Sequence, residues 1–83
     1  MTKQIWTVAE WLFDKVNAQA AEYRIYLIGE YKDGMLDHTK LRVEEVVAES
    51  EKAYKVKLDA ETAGGHVKTW TAWVPKSVIK EVA

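Results

Sequence analysis

Read by the spacing of its apolar side chains, the chain changes period near Tyr23. Before that point apolar residues recur every three or four positions, and after it they alternate with polar ones. Thr7-Val8-Ala9-Glu10 has the form of a capping box, in which the Thr hydroxyl and the Glu carboxylate satisfy backbone N–H groups at a helix start. A helix is therefore predicted from Val8 onward, or from earlier if Ile5 joins it. With Val8 as zero, Leu12, Tyr23, Val16, Ala9, Ala20 and Phe13 fall between about 40° and 140° and form one apolar face. Trp11 falls near about 300°, among Asp14, Ala18, Glu22 and Lys15, outside that face. Trp6 and Trp11 occupy the two positions of a hydrophobic staple, which would bury both rings at the helix entrance. Without that contact, Trp11 is an aromatic ring on a polar helix face.

From Tyr23 the alternation places Tyr23, Ile25, Leu27 and Tyr31 on one side and Arg24, Tyr26, Ile28 and Glu30 on the other, which predicts a strand. Lys32-Asp33-Gly34 signals a tight turn, because Asp-Gly readily takes positive φ. Leu41 and Val43 alternate, after which the apolar positions shift to Val46 and Ala48, as a bulge at Glu44 and Glu45 would explain. The same stretch also fits a helix, with Val43, Val46, Val47, Ser50 and Tyr54 at spacings of three and four. Ser50-Glu51-Lys52 reads as a turn. Tyr54, Val56 and Leu58 then alternate with Lys55, Lys57 and Asp59 in a strand with one wet face. Residues 59 to 66, with Gly64-Gly65, read as a loop, and Val67 to Val74 as a last strand ended by Pro75. Lys76 to Ala83 would close with one or two helical turns.

The predicted fold is therefore α+β: an N-terminal helix on a small, curled, four-stranded antiparallel sheet, with a short C-terminal helical turn. Its 83 residues suit one domain, residues 1–83, and 48% hydrophobic residues with four Trp, four Tyr and one Phe can fill a core. No run of ~18 apolar residues occurs and no signal-like segment opens the chain, so neither a membrane span nor secretion is expected. The absence of cysteine removes disulfides, thiolate metal sites and thiol nucleophiles and suits a reducing, cytoplasmic setting.

Twelve Lys and Arg against thirteen Asp and Glu give a net charge of −1, which disfavours a protein that neutralises many phosphates. The charge is uneven in the middle. Glu44, Glu45, Glu49 and Glu51 form an acidic strip, and Lys52, Lys55 and Lys57 a basic one.

No constellation for chemistry stands out. His38 and His66 lie in predicted loops without the ligand spacing of a zinc site. Ser50 and Ser77 lack an elbow of flanking glycines, Glu44 and Glu45 are adjacent and so point to opposite strand faces, and Gly64-Gly65-His66 is too short for a phosphate loop. Neither catalysis, a metal nor a cofactor is expected. More suggestive is Trp beside Lys on a sheet. If the Thr residues mark the wet face, Thr69, Thr71 and Trp73 point outward and Trp70, Ala72 and Val74 inward; the opposite parity exposes Trp70 instead. Lys55 and Lys57 beside an outward Trp could contact a protein, or stack bases and hold phosphates.

Glu51-Lys52-Ala53-Tyr54-Lys55-Val56-Lys57-Leu58 and Trp73-Val74-Pro75-Lys76-Ser77 resemble the C-terminal part of small phage- and prophage-encoded proteins of uncharacterised function. The likeness covers about the last 35 residues. It implies a β-hairpin closing a small sheet, and it implies a mobile-element accessory protein. Such proteins commonly bind and block a host component, including CRISPR nucleases and other defence enzymes. The long, Gly-rich Ala60 to Lys68 departs from the short turn of those relatives. The resulting expectation is a non-catalytic domain that binds a host or phage protein through Trp11, Lys55, Lys57 and Trp73. Its rivals are a single-stranded nucleic-acid binder and a structural or assembly component of a phage particle.

Overall fold

The computed structural model describes residues 4–83. Gln4–Val8 is a strand, β1, in which Trp6 and Val8 face the core and alternate with more exposed neighbours. The predicted helix start is thereby displaced. Helix α1 is Glu10–Ala21, capped by Ala9 in extended conformation with no side-chain cap bond. The Thr7 hydroxyl, expected to cap the helix, accepts a bond from Lys40 Nζ at 2.7 Å instead. Strand pairing outweighs the capping box because β1 gains a neighbour on each edge, one through Trp6↔Leu41 and one through Trp6↔Val82. A local cap satisfies only one or two N–H groups.

Leu12, Phe13, Val16 and Ala20 are buried along α1, as the periodicity predicts, whereas Tyr23 lies beyond the helix and is exposed. Arg24, at φ 60°, reverses the chain into β2, Ile25–Leu27. There the Leu27 N–H donates to Asn17 Oδ1 at 3.2 Å, tying the strand to the helix. Asp33 and Gly34, at φ 54° and 79°, make the expected tight turn between β3, Tyr31–Lys32, and β4, Met35–Leu36.

Residues 40 to 49 are a strand and not the alternative helix: β5 is Lys40–Glu49, and its pairing with β6, Ala53–Thr62, slips beside Glu44 and again beside Val47. The first slip is the expected bulge. Strand β6 takes in the first four residues of the predicted loop, 59 to 62, so only residues 63 to 66 connect it to β7, Val67–Pro75. Asp59, expected on the wet face, is buried where β2 covers this end of β6 and the Ile28 N–H donates to the Asp59 carbonyl at 3.0 Å.

After Pro75 only Lys76–Val78 is helical, as one 3₁₀ turn. Ile79–Val82 then forms β8 against β1 in place of a second helical turn. Among the described residues the sheet therefore has six strands, not four. β5 and β2 share one edge of β6 and β7 takes the other, while β1 lies between β5 and β8. One face of this curled antiparallel sheet contributes Val43, Val56, Leu58 and Val74 to a core closed by Leu12, Phe13 and Val16 of α1. Among the described residues no strand pairs with the second edge of β7, and α1 makes contacts with this strand.

Candidate interaction surface

The four tryptophans separate by role. Trp6 is 3% exposed and meets Tyr54 edge-on, with ring centroids 5.6 Å apart, while its Nε1 donates to Gln4 Oε1 at 3.1 Å. The expected staple with Trp11 does not form, because Trp6 stands in a strand and not in the turn before a helix. Trp11 is 55% exposed and Trp73 49%, both large apolar surfaces left in water. Trp70, half-buried, lies against Tyr23 at 5.6 Å. The Thr residues of β7 do mark its wet face: Thr69, Thr71 and Trp73 are exposed, whereas Val74 is buried and Trp70 and Ala72 are partly so.

Trp11 and Trp73, distant in sequence, border one groove of about 470 Å³ between α1 and β7. On the helix side Trp11, Lys15 and Gln19 succeed one another at one-turn intervals, above Leu12 and Val16. On the strand side the wall is Trp70, Thr71, Ala72, Trp73 and Pro75. Lys15 is the only charged residue in this lining, and it makes no ion pair among the described residues.

Lys55 and Lys57 lie outside the groove. They stand directly across from Trp73 and Thr71 in the β6–β7 ladder, so the four side chains share the outer face of the sheet. The acidic and basic strips, expected as separate patches, fold onto each other. Lys57 Nζ is 4.0 Å from Glu45 Oε1, and Lys76 Nζ donates to Glu49 Oε2. That bond to Glu49 holds the Lys76 ammonium above its usual range despite some desolvation. Two of the four acidic residues of the strip, Glu45 and Glu49, thereby have a lysine beside them. Trp70 entered the sequence reading only as the alternative to Trp73, and Lys15 and Gln19 not as site residues, although Trp11, Lys15 and Gln19 share a helix stripe at four-residue spacing.

Several of the other polar groups sit in local contacts. His38 Nδ1 lies 2.7 Å from Asp14 Oδ1, and the ring leans on Phe13 with centroids 5.1 Å apart, so it fastens its loop to α1. The backbone N–H of His66 donates to Thr62 Oγ1 at 3.2 Å, and Ser50 Oγ accepts from the backbone N–H of Ala53 at 3.1 Å, both within turns. Asp37 Oδ1 accepts from the Thr39 hydroxyl at 2.6 Å and the Thr39 N–H at 2.9 Å, and these bonds, the hydroxyl first, hold its carboxyl below the ordinary aspartate range. Among the described residues, no three His, Asp or Glu are grouped as metal ligands would be, and no helix is long and apolar enough to cross a membrane.

No protein-family model matches the chain, and no curated protein and no solved structure shows significant similarity to it.

Proposed function

We propose that this chain is a non-catalytic binding domain that acts stoichiometrically on another protein through the groove between α1 and β7. The observation that carries this reading is the convergence of Trp11 and Trp73, each about half exposed, on the two rims of one cleft. Large apolar rings kept in water cost solubility, and half-desolvated Trp beside a concave surface is what anchors protein interfaces. The C-terminal resemblance extends the proposal to a mobile-element accessory protein that blocks a host component, a CRISPR nuclease being one candidate.

A second reading has a specific observation behind it: Lys55 directly opposite Trp73, with Lys57 beside it, is the pairing of charge and ring that holds single-stranded nucleic acid. It is the weaker of the two, because Lys57 is already near Glu45 and Trp73 also belongs to the groove.

A photo-crosslinking residue at Gln19, on the helix wall, would capture the occupant in bacterial cells for identification and titration with purified components. The expected result is a saturable one-to-one protein complex, weakened at least about tenfold by Trp11→Ala and by Trp73→Ala but not by Tyr31→Ala. Oligonucleotide binding that falls steeply with salt, with no protein complex dependent on either Trp, would overturn this reading in favour of the second.

A further inference from the structure

The edge of β7 is the least protected in the sheet. Natural edge strands are blunted by charge, proline or bulges, because their unpaired N–H and C=O groups template the addition of another strand. The edge strand β8 carries Lys80 and Glu81 among its four residues, the edge strand β2 is only three residues long, and the part of β5 that extends beyond β1 is broken by two register slips. By contrast β7 pairs with β6 in unbroken register over nine positions, and Thr69-Trp70-Thr71-Ala72-Trp73-Val74 contains no charge, no proline and no slip. These residues also have high strand propensity. Among the described residues no strand covers its second edge.

The groove follows that edge. Its strand wall consists of the consecutive residues Trp70, Thr71, Ala72 and Trp73, which point alternately to the two faces of the sheet. A cleft on one face would touch every second residue, whereas a cleft along the edge touches all of them. The opposite wall, from Trp11 to Gln19, spans about 12 Å of helix, which matches about four residues of extended chain.

We propose that the occupant is an extended segment of a partner protein that adds to β7 as a further strand and carries acidic side chains. This rests on the groove being the binding site and adds how it is filled. Main-chain bonds to the β7 edge supply affinity, while Trp11, Trp70 and Trp73 receive alternate apolar side chains. Charge selects the acidic class: Lys15 is the only charged group in the lining, Lys68 the only one in β7, and neither has an ion-pair partner among the described residues. A second copy of this chain meets that demand poorly, because neither its β7 nor its groove lining offers an acidic residue to these lysines.

The test is selection of a displayed library of random nine-residue peptides on the full chain, with the Trp11→Ala/Trp73→Ala double variant as counter-selection. Enriched peptides are expected to alternate apolar with other residues, to include Asp or Glu, and to lack interior proline. In synthetic versions, N-methylation of every second amide in one parity is expected to lower affinity more than about 30-fold, because those amides bond to β7; methylation of the other parity leaves it within about threefold. Lys15→Glu is expected to weaken the acidic peptides about tenfold. Peptides that need both tryptophans but tolerate N-methylation in either parity, or that show helical spacing, would overturn strand addition and leave the groove as the docking site. A Trp-dependent dimer in light scattering would replace the peptide by a second copy. Failure to enrich any Trp-dependent peptide, while crosslinking at Gln19 still yields a Trp-dependent complex, would equally refute strand addition; loss of both would refute the groove as well.

Discussion

At the scale of single residues, the tryptophans divide into those that hold the molecule together and those that do not. Phe13 is fully buried and Trp6 nearly so. Truncating either to Ala is expected to cost about 3–5 kcal/mol, measured as a shift of the urea midpoint. Trp11→Ala and Trp73→Ala are expected to cost less than about 1 kcal/mol in the same experiment, because half of each ring is already in water. Equal losses at all four positions would contradict the division. Asp37 tests the local electrostatics. Its carboxyl is held below the ordinary range by Thr39, so it stabilises the fold above the unfolded-state pKa, and that contribution disappears as pH falls through the lower, folded-state value. Asp37→Ala is expected to make thermal stability less dependent on pH across the acid range, by a small amount since the group is exposed. Trp11 was legible as an outlier because helical periodicity assigns every residue a direction. Lys15 and Gln19 were not, because polar residues on a polar stripe carry no signal until a strand is placed opposite them.

At the scale of elements, what the sequence conveyed depended on how local the determining interaction is. The Asp33-Gly34 turn, the bulge at Glu44, the turn after Glu49 and the parity of β7 follow from side chains within a few positions of one another, and all are present. The ends of the chain do not follow that rule. Gln4–Val8 alternates as a strand but overlaps a good capping box, and only its partners β5 and β8, remote in sequence, decide the outcome. The C-terminal strand was hidden for the same reason, since four residues gain stability as a strand only from a waiting edge. Deleting residues 79 to 83 tests this pairing. It removes the paired backbone bonds between Ile5 and Ala83, at 3.0 and 2.9 Å, and uncovers one edge of β1. A loss on the order of 2–3 kcal/mol is expected by urea denaturation. An unchanged midpoint would mean that β8 is not part of the folded sheet.

At the scale of the whole molecule, folding rearranges the charge pattern seen along the chain. The acidic and basic strips, separate in sequence, become cross-strand neighbours at Lys57 and Glu45, and Lys76 from outside the basic strip pairs with Glu49. A surface that is balanced locally as well as in total gives little purchase to a polyanion. Three of the four tryptophans, in contrast, converge: α1 and β7 bring Trp11, Trp70 and Trp73 to one cleft at an open sheet edge. This is the feature that only the assembled molecule has, and binding is inferred from it. The four tryptophans also provide its most direct test. With 5-fluorotryptophan at all four positions, ¹⁹F NMR during titration with a peptide selected on the groove should shift the Trp11, Trp70 and Trp73 resonances together and leave that of buried Trp6 in place. Shifts confined to Trp6, or to Trp73 alone with Trp11 unmoved, would contradict the groove as the site of binding.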